Sequence, residues 1–123
     1  MKKNVPKITD GEMQVLEVLW ENSPMAASEV VAVLKEQSNW NRNTTYTFIN
    51  RLVEKGVVKR DEPGFICTYL FTEDEVKLSE THTFLDKIYQ GSLNLMISRF
   101  IENKALSRKE LDELKDLLDR STP

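Results

Sequence analysis

The sequence holds one cysteine and one histidine in 123 residues. A lone Cys67 forms no internal disulfide, and with no Cys/His cluster at ligand spacing the chain offers no zinc or copper centre. His82 is equally isolated, so a Ser-His-Asp or Cys-His nucleophilic arrangement would rest on one ring within a helix; a surface or interface position is its ordinary reading. There is no Gly-rich phosphate loop, and only four glycines and four prolines, which excludes low complexity. No N-terminal stretch joins a basic start to a long apolar core, and no apolar run approaches the roughly 20 residues that span a bilayer. The expectation is a chain without catalysis, cofactor, metal or membrane, suited to the reducing cytoplasm.

What is present is ordinary for a globular protein: 40% apolar and 30% charged residues, enough to fold one domain or a small head with a short appended module. The formal net charge of −3 opposes nucleic-acid binding until it is divided along the chain. Residues 1–71 hold nine basic and nine acidic side chains, whereas residues 72–123 hold eight and eleven, so the deficit lies wholly in the C-terminal part. Within 35–60 the balance reverses, with Lys35, Arg42, Arg51, Lys55, Lys59 and Arg60 against only Glu36 and Glu54. A local excess of this kind suits phosphate.

Thr9-Asp10-Gly11-Glu12 has capping-box spacing and predicts a helix running to Asn22-Ser23-Pro24, with Met13, Leu16, Val18, Leu19 and Trp20 near helical period. A second helix is expected over Ser28–Gln37 on Val30, Val31 and Leu34. A third follows Asn41 as N-cap and continues to Lys55, where Gly56 can take the left-handed closing position. Val57-Val58 and Phe65–Phe71 then read as a two-stranded hairpin around Glu62-Pro63-Gly64. Thr72 to Glu75 is another capping box, opening a helical tract to about Asn103 with a bend at Gly91-Ser92. Ser107 to Glu110 is a third, starting a helix with Leu111, Leu114 and Leu118 on one face. The fold class is mainly α with a small β-hairpin: a winged helix-turn-helix head over residues 1–71 and a helical dimerisation region over 72–123.

In such a head the third helix enters the DNA major groove. At about 100° per residue, Thr45, Phe48, Ile49, Leu52 and Val53 form its core face. Asn43, Tyr46, Thr47 and Asn50 centre the opposite face, with Thr44 and Arg51 on the flanks, Arg42 at the start and Lys55 at the end. Any amphipathic helix has a polar face, but a merely solvated one favours Glu and Lys, which form helices better than Asn, Thr and Tyr. These residue types suit base edges and phosphates. Lys59 and Arg60 admit two readings of equal weight: charges guarding an edge strand, or wing contacts to phosphate. Cys67 reads as a small buried hydrophobe, since a redox sensor requires a depressed pKa. Asp112, Glu113 and Asp116 read as a solvated face.

Ile8-Thr9-Asp10 with Glu12, Val15 and Trp20, then Trp40, Thr44, Thr47, Arg51-Leu52 and Lys55-Gly56, resemble the penicillinase-repressor (BlaI/MecI) family. So do Phe84-Leu85, Tyr89-Gln90-Gly91, Phe100 and Leu106-Ser107 with Glu110, Glu113 and Leu114, so the resemblance covers nearly the whole chain. It implies a homodimeric repressor whose winged helices bind a palindromic double-stranded DNA operator and whose C-terminal helices intertwine. Carried over by position, Asn43, Thr44, Tyr46, Thr47 and Arg51 fall where the family contacts DNA. The chain departs from the family pattern at Tyr46, where a basic residue is common, and at Asn41-Arg42-Asn43, where Ser-Pro-Lys often stands. Better known members are inactivated by cleavage at an Asn-Phe bond in the C-terminal part, with an upstream receptor protease as one candidate partner; the aligned bond here is Arg99-Phe100, and an interface role for both residues is the competing reading.

The C-terminal helices make physical sense as an interface. Leu93, Leu95, Met96, Ile97, Phe100 and Ile101 leave little polar face for water. Phe84, Leu85, Ile88, Tyr89, Leu93, Met96, Ile97, Phe100, Leu111, Leu114 and Leu118 are the expected dimerisation residues. Two other classes stay open: a ligand-sensing regulator with an effector site at the dimer interface, marked by an unfilled apolar cavity near Phe84, Tyr89 and Phe100, and a winged helix that binds only proteins.

Overall fold

The computed structural model describes residues 4–121. Helix α1 (Asp10–Asn22) begins with the capping box complete: Thr9 N–H donates to Glu12 Oε1 at 2.9 Å and Glu12 N–H to Thr9 Oγ1 at 3.3 Å. A two-residue strand, β1 (Met25–Ala26), leads into α2 (Ala27–Ser38), whose start is held by Ala26 N–H donating to the Glu29 carboxylate at 2.9 Å. Asn39 then turns left-handed (φ 56°), Asn41 caps α3 (Arg42–Glu54) by accepting from Thr44 N–H at 2.8 Å, and Gly56 at φ 77° closes that helix. The three-residue turn between α2 and α3 is helix-turn-helix geometry.

Strands β2 (Val58–Asp61) and β3 (Ile66–Tyr69) form the expected antiparallel hairpin, Val58 opposite Tyr69 and Asp61 opposite Ile66. The sheet has a third member, however, because β1 pairs antiparallel with β3 through Met25 opposite Cys67 and Ala26 opposite Ile66, giving the order β1-β3-β2. Two residues carry no readable period, so this strand corrects the two-stranded expectation. It anchors the wing to the entrance of α2, where Ala27 N–H also donates to Phe65 C=O at 2.9 Å.

The core of the head joins Val15, Leu16 and Leu19 of α1, Val30 and Leu34 of α2, Ile49 and Leu52 of α3, and Val57, Val58, Cys67 and Phe71 from the hairpin and its flanks. Each fully buried Leu or Ile stabilises by about 1.5–3 kcal/mol. Trp20 Nε1–H donates to Phe71 C=O at 3.0 Å, fastening the exit of the hairpin to α1. The Phe48 ring lies directly over Gly11, where a Cβ would overlap it, so the third helix approaches the first more closely than any other residue at position 11 would allow.

Helix α4 (Glu73–Tyr89) opens on the second capping box and buries Val76 in the head core. Packing divides the described residues into two compact units, the division falling between Thr81 and His82, inside α4. In place of a bend at Gly91-Ser92 the chain breaks. Gln90 and Gly91 are both left-handed (φ 56° and 78°), and Ser92 caps a new helix, α5 (Leu93–Glu102), by accepting from Leu95 N–H at 3.0 Å. Two successive left-handed residues cannot continue a right-handed helix. The third capping box, Ser107 with Glu110, starts α6 (Arg108–Ser121).

Glu12 does more than cap. Its side chain is almost wholly buried, and Lys55 Nζ lies 2.6 Å from Oε1 while also donating to Lys7 C=O at 2.9 Å. Burial alone would push the carboxyl up, but the hydrogen bond from Lys55, the Thr9 amide and the Lys55 charge outweigh it, and the net direction is below the usual glutamate value of 4.5. A carboxyl lowered on folding contributes stability that is complete above its unfolded value and is lost as pH falls through the folded one. Thermal unfolding followed from pH 7 downward is therefore expected to show stability declining below about pH 4.5, with Glu12→Gln costing about 2 kcal/mol at neutral pH and flattening that acid limb. An unchanged limb in the variant would assign the acid sensitivity elsewhere.

Candidate nucleic-acid interface

Helix α3 carries Thr45, Ile49 and Leu52 into the core, with Phe48 and Val53 half-buried at the margins. This leaves Arg42, Asn43, Thr47, Asn50 and Arg51 exposed, with Thr44 and Tyr46 half-buried on the same helix. Its first turn contains no acidic residue. The positive end of the helix dipole is therefore not neutralised by a carboxylate of the helix itself, which favours an incoming anion.

The cations of the face are organised by aromatic rings. Arg42 Cζ stands 4.9 Å from the centroid of Tyr46, and its guanidinium donates to the Tyr46 hydroxyl at 3.4 Å. Tyr46 in turn meets Phe65 of the wing edge-on, with centroids 5.6 Å apart, and Arg60 Cζ lies 3.6 Å from the Phe65 centroid. On the other flank Arg51 sits 5.4 Å over Phe48, which packs on Trp40 at 5.1 Å. Such stacks hold a guanidinium by its face and leave N–H groups at its edge free to donate.

Sequence-predicted residues thus fall in several distinct places. Arg42, Tyr46 and Arg60 come together with Phe65, and Arg51 stands on the Phe48–Trp40 platform. Lys55 is drawn away to Glu12. Lys59 is exposed and lies 3.5 Å from Asp61, a weak surface pair. Thr47 Oγ1 donates back to Asn43 C=O at 2.8 Å, and so faces outward with lone pairs only. Phe65 and Glu62 were not among the predicted site residues; the spacing of Glu62 and Phe65 around Pro63-Gly64 signals a turn but not a side-chain platform.

In the C-terminal unit Phe84, Ile88, Leu93, Phe100, Ile101, Leu117 and Leu118 are substantially exposed, Tyr89, Met96, Ile97, Leu111 and Leu114 are half-buried, and Leu85 is buried. No residue of α5 or α6 is buried. Met96, Ile97, Phe100, Leu106, Leu114 and Leu117, with Glu110 and Glu113, line a groove of about 360 Å³. Phe84 and Tyr89 are not part of that groove but meet edge-on with centroids 6.0 Å apart. Among the described residues no helix is long and apolar enough to cross a membrane.

A family model described as penicillinase repressor matches residues 8–120. The chain belongs to that family. It is 35% identical over 119 residues to the penicillinase repressor of Bacillus licheniformis, covering 95% of this chain and 93% of the relative. It is 28% identical over 122 residues to the methicillin resistance regulatory protein MecI of Staphylococcus aureus (strain N315), covering 98% and 99%. Among solved structures it is similar to the DNA-binding domain of the repressor BlaI, with a TM-score of 0.54 and 34% identity over 61% of this chain and 93% of that one. The Bacillus licheniformis BlaI monomeric form in complex with the blaP half-operator is equally similar, with a TM-score of 0.53, 34% identity and the same coverage. The names of these relatives are those of repressors and of a regulatory protein.

Cys67 lies in β3 with its side chain in the core, and burial pushes its thiol up to about 11, against a weaker opposing pull from Arg60. This is the opposite direction from a redox sensor. A thiol-labelling reagent near neutral pH is expected to modify the native chain far more slowly than the denatured one; equal rates would show an accessible, ionisable sulfur.

Proposed function

We propose that this member of the penicillinase repressor family is a cytoplasmic transcriptional repressor that binds a palindromic operator as a homodimer, with α3 in the major groove. The observation that carries the reading is the outward face of α3. It combines Asn43, Tyr46, Thr47 and Asn50 with Arg42 and Arg51 and has no acid in its first turn. Asn and Arg are bidentate readers of adenine and guanine edges, and the flanking cations suit phosphate. Arg42, Asn43, Thr44, Tyr46, Thr47, Asn50, Arg51, Lys59 and Arg60 are assigned to DNA. Lys55 belongs at its margin, because its ammonium is engaged by Glu12. The BlaI monomer in complex with a half-operator supports one head per half-site.

A palindrome then calls for two heads, and the exposed apolar residues of the C-terminal unit supply the reason for pairing. A second copy covering Phe84, Ile88, Leu93, Phe100 and Leu118 would remove from water a surface that a monomer leaves exposed. Tyr89, Met96, Ile97, Leu111 and Leu114 would extend that interface, with Leu85 supporting it from within. The Arg99–Phe100 bond lies inside α5, where Asn103 N–H donates to Arg99 C=O at 3.0 Å and Ala105 N–H to Phe100 C=O at 2.8 Å. Cutting by a receptor protease would require this stretch to unwind first, so the helix favours an interface role for both residues.

Selection of bound fragments from a random DNA pool is expected to return a palindrome bound by two chains, with affinity falling as salt rises. Arg51→Ala should weaken binding to every sequence and lower the salt slope by about 1, whereas Asn43→Ala should relax preference at one base position by about 1–3 kcal/mol. Equal losses on selected and scrambled DNA for both variants would defeat the assignment of α3. Separately, Phe100→Asp is expected to shift the chain toward monomer in sedimentation while the head stays folded, with operator affinity lost but half-site preference retained. A dimer of unchanged strength would place the interface elsewhere.

A further inference from the structure

We propose that Phe65 is a positioning residue that fixes the wing cation Arg60 and the recognition-helix residue Tyr46 in one rigid unit, so that wing and helix meet DNA together. The inference rests on the DNA-binding reading and names, within it, a residue that need not touch nucleic acid. The first sign is conformational. Phe65 has φ 50°, a left-handed backbone that a bulky side chain adopts only at a cost and only where its surroundings over-determine it. Gly64, immediately before it, is also left-handed at φ 96° and needs no such compensation. The turn could have used a small residue at both positions.

Four contacts hold Phe65. Its N–H donates to Glu62 Oε1 at 3.1 Å, and its C=O accepts from Ala27 N–H at 2.9 Å, at the first residue of α2. One face of the ring lies under the Arg60 guanidinium at 3.6 Å, and Tyr46 meets the ring edge-on. Glu62 completes the clasp, its Oε2 accepting from Arg60 Nε at 2.5 Å while Oε1 holds the Phe65 amide. Arg42 stands over Tyr46, so the contacts run in the order Arg42, Tyr46, Phe65, Arg60. Without the Phe65 ring Arg60 would keep only its bond to Glu62 at Nε, and the plane of its guanidinium would be free to turn. A free arginine loses rotamer entropy when a contact fixes it, and pre-ordering by the stack removes part of that loss before DNA arrives. Arg60 Nε is occupied by Glu62, which leaves the terminal N–H groups for phosphate.

An uncharged side chain should therefore carry part of the salt dependence of binding. Using the full chain and the duplex enriched by selection, the slope of log affinity against log salt would be measured for the wild type, Arg60→Ala, Phe65→Ala, Phe65→Tyr and the double variant of positions 60 and 65. Arg60→Ala is expected to make the slope shallower by about 0.9, one phosphate contact. Phe65→Ala should reproduce most of that loss although no charge is removed, Phe65→Tyr should restore the wild-type slope, and the double variant should be no worse than Arg60→Ala. Phe65→Leu, which keeps apolar bulk without a ring face, carries the same expectation if the alanine variant fails to fold in a thermal scan. A wild-type slope for folded Phe65→Ala or Phe65→Leu, additive losses in the double variant, or a wild-type slope for Arg60→Ala would each overturn the positioning role while leaving DNA binding in place. A wild-type chain with no salt-dependent affinity would overturn both readings.

Discussion

A carboxylate at Glu12, closed off from water, joins the beginning of one helix to the end of another. One of its oxygens accepts the Thr9 amide that starts α1 and the Lys55 ammonium that follows α3. Around this pair Phe48 rests on the bare backbone at Gly11, and the Trp40 and Arg51 side chains stack on Phe48 in turn. The pitch of α3 relative to α1 is thus set at two points, one ionic and one steric. Every outward-facing side chain of α3 inherits its direction from them. An ion pair with one buried partner is weak evidence of net stability, but it is selective about geometry, because misplacing Lys55 leaves the Glu12 carboxylate uncompensated in the core.

The same interaction shows what a sequence conceals. Capping boxes at Thr9, Thr72 and Ser107 are local chemistry, and all three form as their spacing requires. The core face of α3 follows from a 3.6-residue period and is equally legible. Lys55 is different. Its place in a basic segment suits phosphate, yet its ammonium reaches a glutamate 43 residues earlier, a partner that only the fold brings near. Strand β1 escapes for the opposite reason: two residues between a proline and a helix are too few to show alternation. The left-handed pair at Gln90-Gly91 turns an expected bend into a full stop, since glutamine gives no warning of that conformation.

The candidate site divides along the same line. Residue types on the outward face of α3 are readable, because Asn, Thr and Tyr at exposed helical positions run against propensity. What fixes their side chains is not readable, since the rings of Phe48, Trp40 and Phe65 come from three separate segments. The two units also differ in kind. The head closes its own core, whereas α5 and α6 bury nothing fully and keep large apolar side chains in contact with water.

Thr47 adds a smaller consequence. Its hydroxyl proton is already committed to the carbonyl one turn back, which leaves two lone pairs and no proton to offer outward. At that point of the helix the protein is purely a base in the hydrogen-bonding sense. Whatever approaches it must bring the proton, so exocyclic amino groups are compatible with this spot and bare carbonyl oxygens are not, unless the hydroxyl gives up its internal bond.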